Sequence, residues 1–152
     1  MSEKDLKIAL HQFCQGFVDQ RSTRIQSQIK ELQTALDSET KSSAGDKHET
    51  GRAMLQLERE KLGQQLAEVQ DLNRVMQKID ISSKKTVASL GSLVKTAKVN
   101  YFLAISAGEF KSDDSLNYCI SLNTPIGIML LGKNVGDTFG FNGNVLKIVA
   151  IE

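Results

Sequence analysis

Tryptophan is missing from this sequence altogether, cysteine occurs twice, and proline occurs once, at Pro125. With no proline before residue 125, nothing in the first half removes a backbone donor and interrupts a long helix. No apolar run approaches the ~20 residues needed to span a bilayer. The N-terminus reads Met-Ser-Glu-Lys-Asp-Leu-Lys, charged where a signal peptide is apolar, so a cytoplasmic location with no membrane partner is expected. An excess of one charge is lacking too, since 19 Lys and Arg nearly cancel 18 Asp and Glu. Such a chain has no broad basic field to hold duplex nucleic acid through its phosphates, and independent DNA binding is not expected. Cys14 and Cys119 lie in segments of different character and have neither CxxC nor metal-ligand spacing; both read as reduced, structural thiols. There is no glycine-rich phosphate loop and no GxSxG, and His11 and His48 are far apart, which argues against a self-contained catalytic site.

What is present is the balance of a globular protein, 40% hydrophobic and 24% charged, organised in two halves of different periodicity. In the first half Leu6, Leu10, Phe13 and Phe17 recur at steps of four, three and four, and Val18, Ile25, Ile29, Leu32 and Leu36 continue a nearly heptad stripe. After a break at Ser42-Ser43-Ala44-Gly45, a second stripe runs through Leu55, Leu62, Leu66, Val69 and Met76. Each stripe needs a partner to cover it, and an antiparallel coiled-coil hairpin over residues 1–79 supplies one. From Gly51 to Gln77 the second helix alone predicts a rod ~40 Å long.

Residues 80–85, Asp-Ile-Ser-Ser-Lys-Lys, break the stripe and read as a linker, with Lys84-Lys85 a solvated basic pair. Over 86–152 the pattern becomes β, with strands predicted at 93–96, 99–105, 118–122, 138–141 and 145–151. One short helix interrupts them. Thr124 is its cap, Pro125 its first turn and Gly132 its stop. The expected fold class is therefore α+β: a helical hairpin, then a small antiparallel sheet with one helix packed on it.

One cluster suggests chemistry. Gly45-Asp46-Lys47-His48-Glu49 falls at the hairpin turn, and its two carboxylates offer oxygen ligands to Mg²⁺, an ion that commonly takes only one or two protein carboxylates and completes its shell elsewhere. Asp followed three residues later by Glu is equally the spacing of a capping box, in which both side chains satisfy backbone donors at a helix start. The two roles coexist if the carboxylates are free when a partner arrives. His48 between them could be a third ligand or a proton carrier, but at a loop tip it reads as a solvated bystander. His11, early in the first helix, reads as a packed or surface residue.

The stretch Asn123-Thr124-Pro125-Ile126-Gly127-Ile128-Met129-Leu130-Leu131-Gly132-Lys133-Asn134-Val135-Gly136-Asp137 resembles the Ser-Pro-Leu/Ile-Gly-x-Ala-Leu-Leu-Gly-Lys-Lys-x-Gly-Asp signature of the Gre transcript-cleavage factor family. That family carries the segment in an FKBP-like β domain, and residues 118–121 and 146–151 resemble its flanking strands. Its N-terminal hairpin has a Gly-Asp-Leu-Ser-Glu-Asn tip, to which Gly45-Asp46-Lys47-His48-Glu49-Thr50 is similar. The resemblance implies a transcription elongation factor that docks on bacterial RNA polymerase and enters its secondary channel. Asp46 and Glu49 would there share a Mg²⁺ ion with the polymerase near the nascent RNA 3′ end, and the polymerase would cleave its own backtracked transcript. The chain would be an accessory and not itself an enzyme. Partner contact would fall on the motif segment, at Thr124, Pro125, Ile126, Gly127 and Lys133.

The tip departs from the family pattern after Glu49. Thr50-Gly51-Arg52-Ala53 stands where Asn-Ala-Glu-Tyr or Phe is usual, so an acid becomes Arg52 and an aromatic becomes Ala53. This motivates an alternative, a secondary-channel regulator that binds the polymerase without promoting cleavage. A third reading, a prolyl isomerase or chaperone, follows only from the FKBP-like fold. It finds no aromatic-lined pocket signature among Tyr101, Phe102, Phe110, Tyr118, Phe139 and Phe141. In a fourth, a purely structural coiled-coil protein, Asp46 and Glu49 are caps alone.

Overall fold

A computed structural model describes residues 2–41, 45–112 and 114–152, with side chains for all of these except 40, 41 and 45–48. The chain is α+β, with two long helices followed by a six-stranded mixed sheet and a short helix. Contacts divide it into two compact units, Val18–Asn73 and a second made of Met1–Phe17 with Arg74–Glu152.

Helix α1 spans Glu3–Lys41 and helix α2 spans Gly45–Gln77. The heptad reading is visible in what they bury: Leu6, Leu10, Cys14, Val18, Ile25, Leu32 and Leu36 on α1, and Leu62, Val69 and Met76 on α2. Cys14 and Val18 are buried, whereas Phe13 and Phe17, which the sequence pattern places on the covered stripe, are only half-buried. Within the unit Val18–Asn73 the helices run antiparallel. Gly51 lies beside the Glu39 side chain, while Glu58 and Leu62 share a surface hollow with Gln28, Leu32 and Ala35. As the chain ascends one helix, its neighbours descend the other. Of the expected break at 42–45, Gly45 already belongs to α2, and 42–44 lie outside the described residues. At 33 residues, α2 is about 50 Å long.

In the other unit the strands are β1 (Leu93–Thr96), β2 (Asn100–Ala104), β3 (Gly108–Lys111), β4 (Leu116–Ser121), β5 (Thr138–Phe141) and β6 (Asn144–Ile151), with helix α3 (Pro125–Leu130) between β4 and β5. Their order across the sheet is β3-β4-β2-β1-β6-β5. The expectation of a purely antiparallel sheet is corrected here, because β4 pairs with β2 in parallel, Asn100 to Asn117 through Ala104 to Ser121. The reason is an excursion. After β2 the chain runs out to the edge as β3, leaving one slot vacant, and β4 returns into that slot antiparallel to β3 and so parallel to β2. Strand β3 itself was missed because Gly-Glu-Phe-Lys is an exposed edge segment without an apolar alternation to detect.

Strand β6 serves two neighbours. Its last residues pair with β1 across a register shift at Lys95/Thr96, and its first residues form a hairpin with β5. That hairpin turns at Asn142-Gly143, with φ of 52° and 78°, the positive pair that a tight two-residue turn demands and that Asn-Gly adopts at low cost. The core gathers Ala88, Val94, Tyr101, Leu103, Ile126, Leu130, Phe139, Ile148 and Ile151. One polar group sits deep within the sheet. The buried Asn117 accepts from Asn100 Nδ2 at 2.9 Å and donates to Phe110 O at 3.0 Å, tying three strands together.

Leu103 is fully buried and Val145 is 77% exposed. Leu103→Ala is expected to lower unfolding free energy by about 2–5 kcal/mol, the transfer loss plus a residual cavity. Val145→Ala is expected to stay within about 0.5 kcal/mol. Urea denaturation of both variants checks the assignment of core and surface.

Candidate functional site

Two segments singled out by the sequence can be built from the residues upward, the 123–137 stretch around α3 and the start of α2. In the first, Thr124 has the extended backbone of a cap (φ −79°, ψ 159°), and its hydroxyl accepts from Gly127 N at 3.1 Å. The same hydroxyl donates to Ser121 O at 2.7 Å, anchoring the helix to the end of β4. Pro125 occupies the first helical position, where no amide hydrogen is needed. Gly127 is required by space, since a Cβ there would press against Ser121 O and come within 2.9 Å of Leu122 Cα. Gly132 ends the segment at φ 85° and donates to Ala88 O, while Ala88 donates back to Lys133 O. The Asp137 carboxylate accepts from Asn134 N at 2.7 Å and closes the following turn, where Gly136 has φ 93°.

The conformation therefore accounts for Thr124, Pro125, Gly127, Gly132, Gly136 and Asp137, and the core accounts for Ile126 and Leu130. It does not account for Ile128, Leu131 and Val135, which are 63%, 51% and 56% exposed. Apolar side chains grouped on one short segment and open to solvent mark an interaction surface. Of the expected contact residues Thr124 and Lys133 are partly exposed and Pro125 is exposed, whereas Ile126 and Gly127 face inward. In the sequence Ile128 and Leu131 are indistinguishable from core, because the run Ile128-Met129-Leu130-Leu131 is apolar throughout.

At the second segment the backbone is helical from Gly45, which puts Asp46 in the first turn of α2 and Glu49 one turn further, on the same face. Glu49 is exposed. The side chains of Asp46, Lys47 and His48 lie outside the described residues, so the capping box and any His48 role fall there too. Ala53 is exposed, Arg52 is half-buried and engaged with a partner, and the Glu39 carboxylate is held beside Gly51, where a Cβ would approach its Oε1 to 3.3 Å. Glu39 adds a third acid close to this end of the hairpin, a consequence of antiparallel register that sequence order hides. Among the described residues no group of three or more His, Cys, Asp or Glu is arranged to hold a metal ion. His11 is half-buried on α1, and Lys84 is exposed with Lys85 half-buried.

A third feature corrects an expectation. Tyr101, Tyr118 and Phe141 do line a cleft, together with Ile120, Ile126 and Cys119, of about 480 Å³. Its cause is the parallel register, which sets Tyr101 directly beside Tyr118, their rings stacked at 6.2 Å and 26°. Tyr101 also meets Phe139 edge-on at 6.2 Å. Burial raises the Tyr101 phenol above its ordinary pKa, and the neighbouring Tyr118 adds to the rise.

No family model and no curated protein matches the chain. Among solved structures, the chain is similar to one described as "Structure of the transcription factor Gfh1", over 88% of this chain and 90% of that one, at 20% identity and a TM-score of 0.34. Likeness at that level carries no weight for the chemistry of the site, which rests on the residues described above. No described helix is long and apolar enough to cross a membrane.

Gly127→Ala is expected to destabilise by about 1–3 kcal/mol through overpacking against the β4–α3 connection. Thr124→Ala is expected to cost about 0.5–2 kcal/mol through loss of the cap. Thermal unfolding followed by circular dichroism measures both, and a neutral Gly127→Ala would contradict the close approach.

Proposed function

We propose that the chain is an accessory factor of bacterial RNA polymerase that enters the secondary channel hairpin-first and stimulates the polymerase's own cleavage of backtracked RNA. The observation that carries this reading is the pairing, in one chain, of two tip carboxylates with a Gre-like segment. Asp46 and Glu49 stand one turn apart at the start of α2 in an antiparallel hairpin. The segment that resembles the Gre signature leaves Ile128, Leu131 and Val135 open for a partner.

The donor set fits Mg²⁺: two hard oxygen donors on one helix face, with Glu49 exposed, suit an ion that keeps several waters and takes few protein ligands. When bound, such an ion stabilises charge on a phosphoryl oxygen and makes a water more acidic. Asp46 and Glu49 supply the negative charge that draws the ion in, and they accept hydrogen bonds from a water and so orient it. The positive end of α2, with Lys47 and Arg52 nearby, opposes cation capture. The isolated tip is on this account a weak site, and carboxylates of the polymerase must complete it. The exposed apolar trio serves docking, and the polymerase remains the catalyst.

Arg52 and Ala53 favour one second reading, a channel-binding regulator without cleavage. A tip with a half-buried, engaged Arg52 and a methyl at 53 offers less acid and no ring for the transcript.

In a stalled, backtracked complex with labelled transcript, the chain is expected to accelerate Mg²⁺-dependent shortening, and Asp46→Asn or Glu49→Gln to return the rate to that of the polymerase alone. Binding without acceleration would overturn the cleavage reading in favour of the regulator, which should then alter initiation at saturating protein. Ile128→Asp is expected to weaken polymerase binding about tenfold or more while shifting stability by no more than about 0.5 kcal/mol. Undiminished binding would remove α3 from the docking surface.

A further inference from the structure

Among the described residues Lys7, in the second turn of α1, is the only charged side chain that is buried, at 4% exposure. Its Nζ has a single partner, the Ser83 carbonyl at a long 3.4 Å, and no described carboxylate pairs with it. An ammonium carries three donors, so two are left without a protein acceptor. Burying a charge in that state is costly unless an anion arrives to pair with it. Lys7 lines a cavity of about 350 Å³ together with Glu3 and Lys4 of α1, Ser83 and Lys84 of the segment after α2, and Glu152. Lys84 and Lys85 read in the sequence as a solvated pair. Here Lys84 lines the cavity wall, and the charge of Lys85 bears on Lys7.

The charges gathered at the cavity do not cancel. Glu3 is taken up by Lys95, whose Nζ lies 2.8 Å from its Oε1. With that pair, the five ammonium groups of Lys4, Lys7, Lys84, Lys85 and Lys95 stand against the three carboxylates of Glu3, Asp80 and Glu152. The surplus of two positive charges matches a phosphate monoester, which carries about −2 near neutral pH. A cavity of this size admits a small ligand. We propose that it binds a phosphoryl dianion, as free phosphate or as the phosphate of a nucleotide, with the buried Lys7 as its anchor and the exposed Lys4 and Lys84 closing over it. The two spare donors of Lys7 go to two phosphoryl oxygens as charge-assisted hydrogen bonds. Without an anion, burial pushes the Lys7 amine below its ordinary pKa and Lys85 adds to the fall, while Glu152 and Asp80 oppose it. A bound dianion opposes it more strongly and keeps the ammonium charged. Occupancy also joins the segment 80–85 to the opening turns of α1 through a single ion.

The test uses the full chain with inorganic phosphate and adenosine monophosphate, each against chloride at matched ionic strength. Phosphate is expected to raise the thermal midpoint and to raise the pKa of Lys7, read from its ε-carbon resonance in an NMR titration. Lys7→Met should weaken phosphate binding about tenfold or more in calorimetry. It should not lower the midpoint of the unliganded chain, because it removes a buried charge that no carboxylate pairs. Lys84→Ala, a change at an exposed side chain that keeps the test open if Lys7→Met does not fold, should weaken binding about threefold. Lys147→Ala, at an exposed lysine of β6 outside the cavity, should leave it unchanged. Tighter binding of adenosine monophosphate than of phosphate supports a nucleotide as the source, and equal or weaker binding supports the free ion. The proposal is overturned if neither anion binds beyond chloride, if binding survives Lys7→Met undiminished, or if phosphate binds and leaves the Lys7 pKa where it was.

Discussion

The unit that holds the sheet depends on one pairing, the parallel seating of β4 against β2. Because β4 fills the slot between β2 and β3, residues with no sequence relationship meet in register: Asn100 with Asn117, Tyr101 with Tyr118, Phe102 with Cys119. The first meeting buries an amide pair that only a fixed register satisfies, since a slip of one residue would turn Asn117 to the other face and leave polar groups unpaired. The second builds the aromatic wall of the cleft, and the third sets two buried side chains on the opposite face of the sheet. The end of the same strand fixes α3, because Ser121 supplies the carbonyl that the Thr124 hydroxyl holds. Amide pair, cleft and exposed helix are thus three readouts of one strand placement.

The hairpin unit obeys a simpler rule. A seven-residue repeat of apolar positions, Leu62, Val69 and Met76 on one helix and Ile25 and Leu32 on the other, gives each helix one covered seam and leaves the remaining faces to charge. Length there comes cheaply, since each added heptad contributes its own burial. The turn end is different in kind. Gly51 admits the Glu39 carboxylate beside the opposite helix, so an acid of α1 lies against α2 where the apolar seam thins out.

Much of this was legible from sequence, for identifiable reasons. Local chemistry announced α3: Thr124, Pro125 and Gly132 each do what their residue types do at a helix start or stop. The seam was legible because its period is intrinsic to a helix and needs no partner to be seen. What escaped depends on non-local pairing. Neither the parallel insertion of β4 nor the stacking of Tyr101 on Tyr118 leaves a trace in either segment alone. At the tip, sequence identified Asp46 and Glu49 by type and spacing, and the helix start at Gly45 sets them one turn apart. At α3 the apolar run hid a division of labour, with Ile126 and Leu130 inward and Ile128 and Leu131 outward.

Strand β3 carries a consequence of another sort. It is the outermost strand on one side of the sheet, four residues long, with Glu109 and Lys111 exposed and 3.5 Å apart. An unpaired strand edge is a template on which a second polypeptide can add, and shortness with alternating charge is the usual deterrent. A newly made chain whose β4 has yet to arrive offers β2, a five-residue strand that is buried throughout in the folded chain, in place of β3. The order in which these two strands settle therefore governs how long the nascent protein is exposed to aggregation with its own copies.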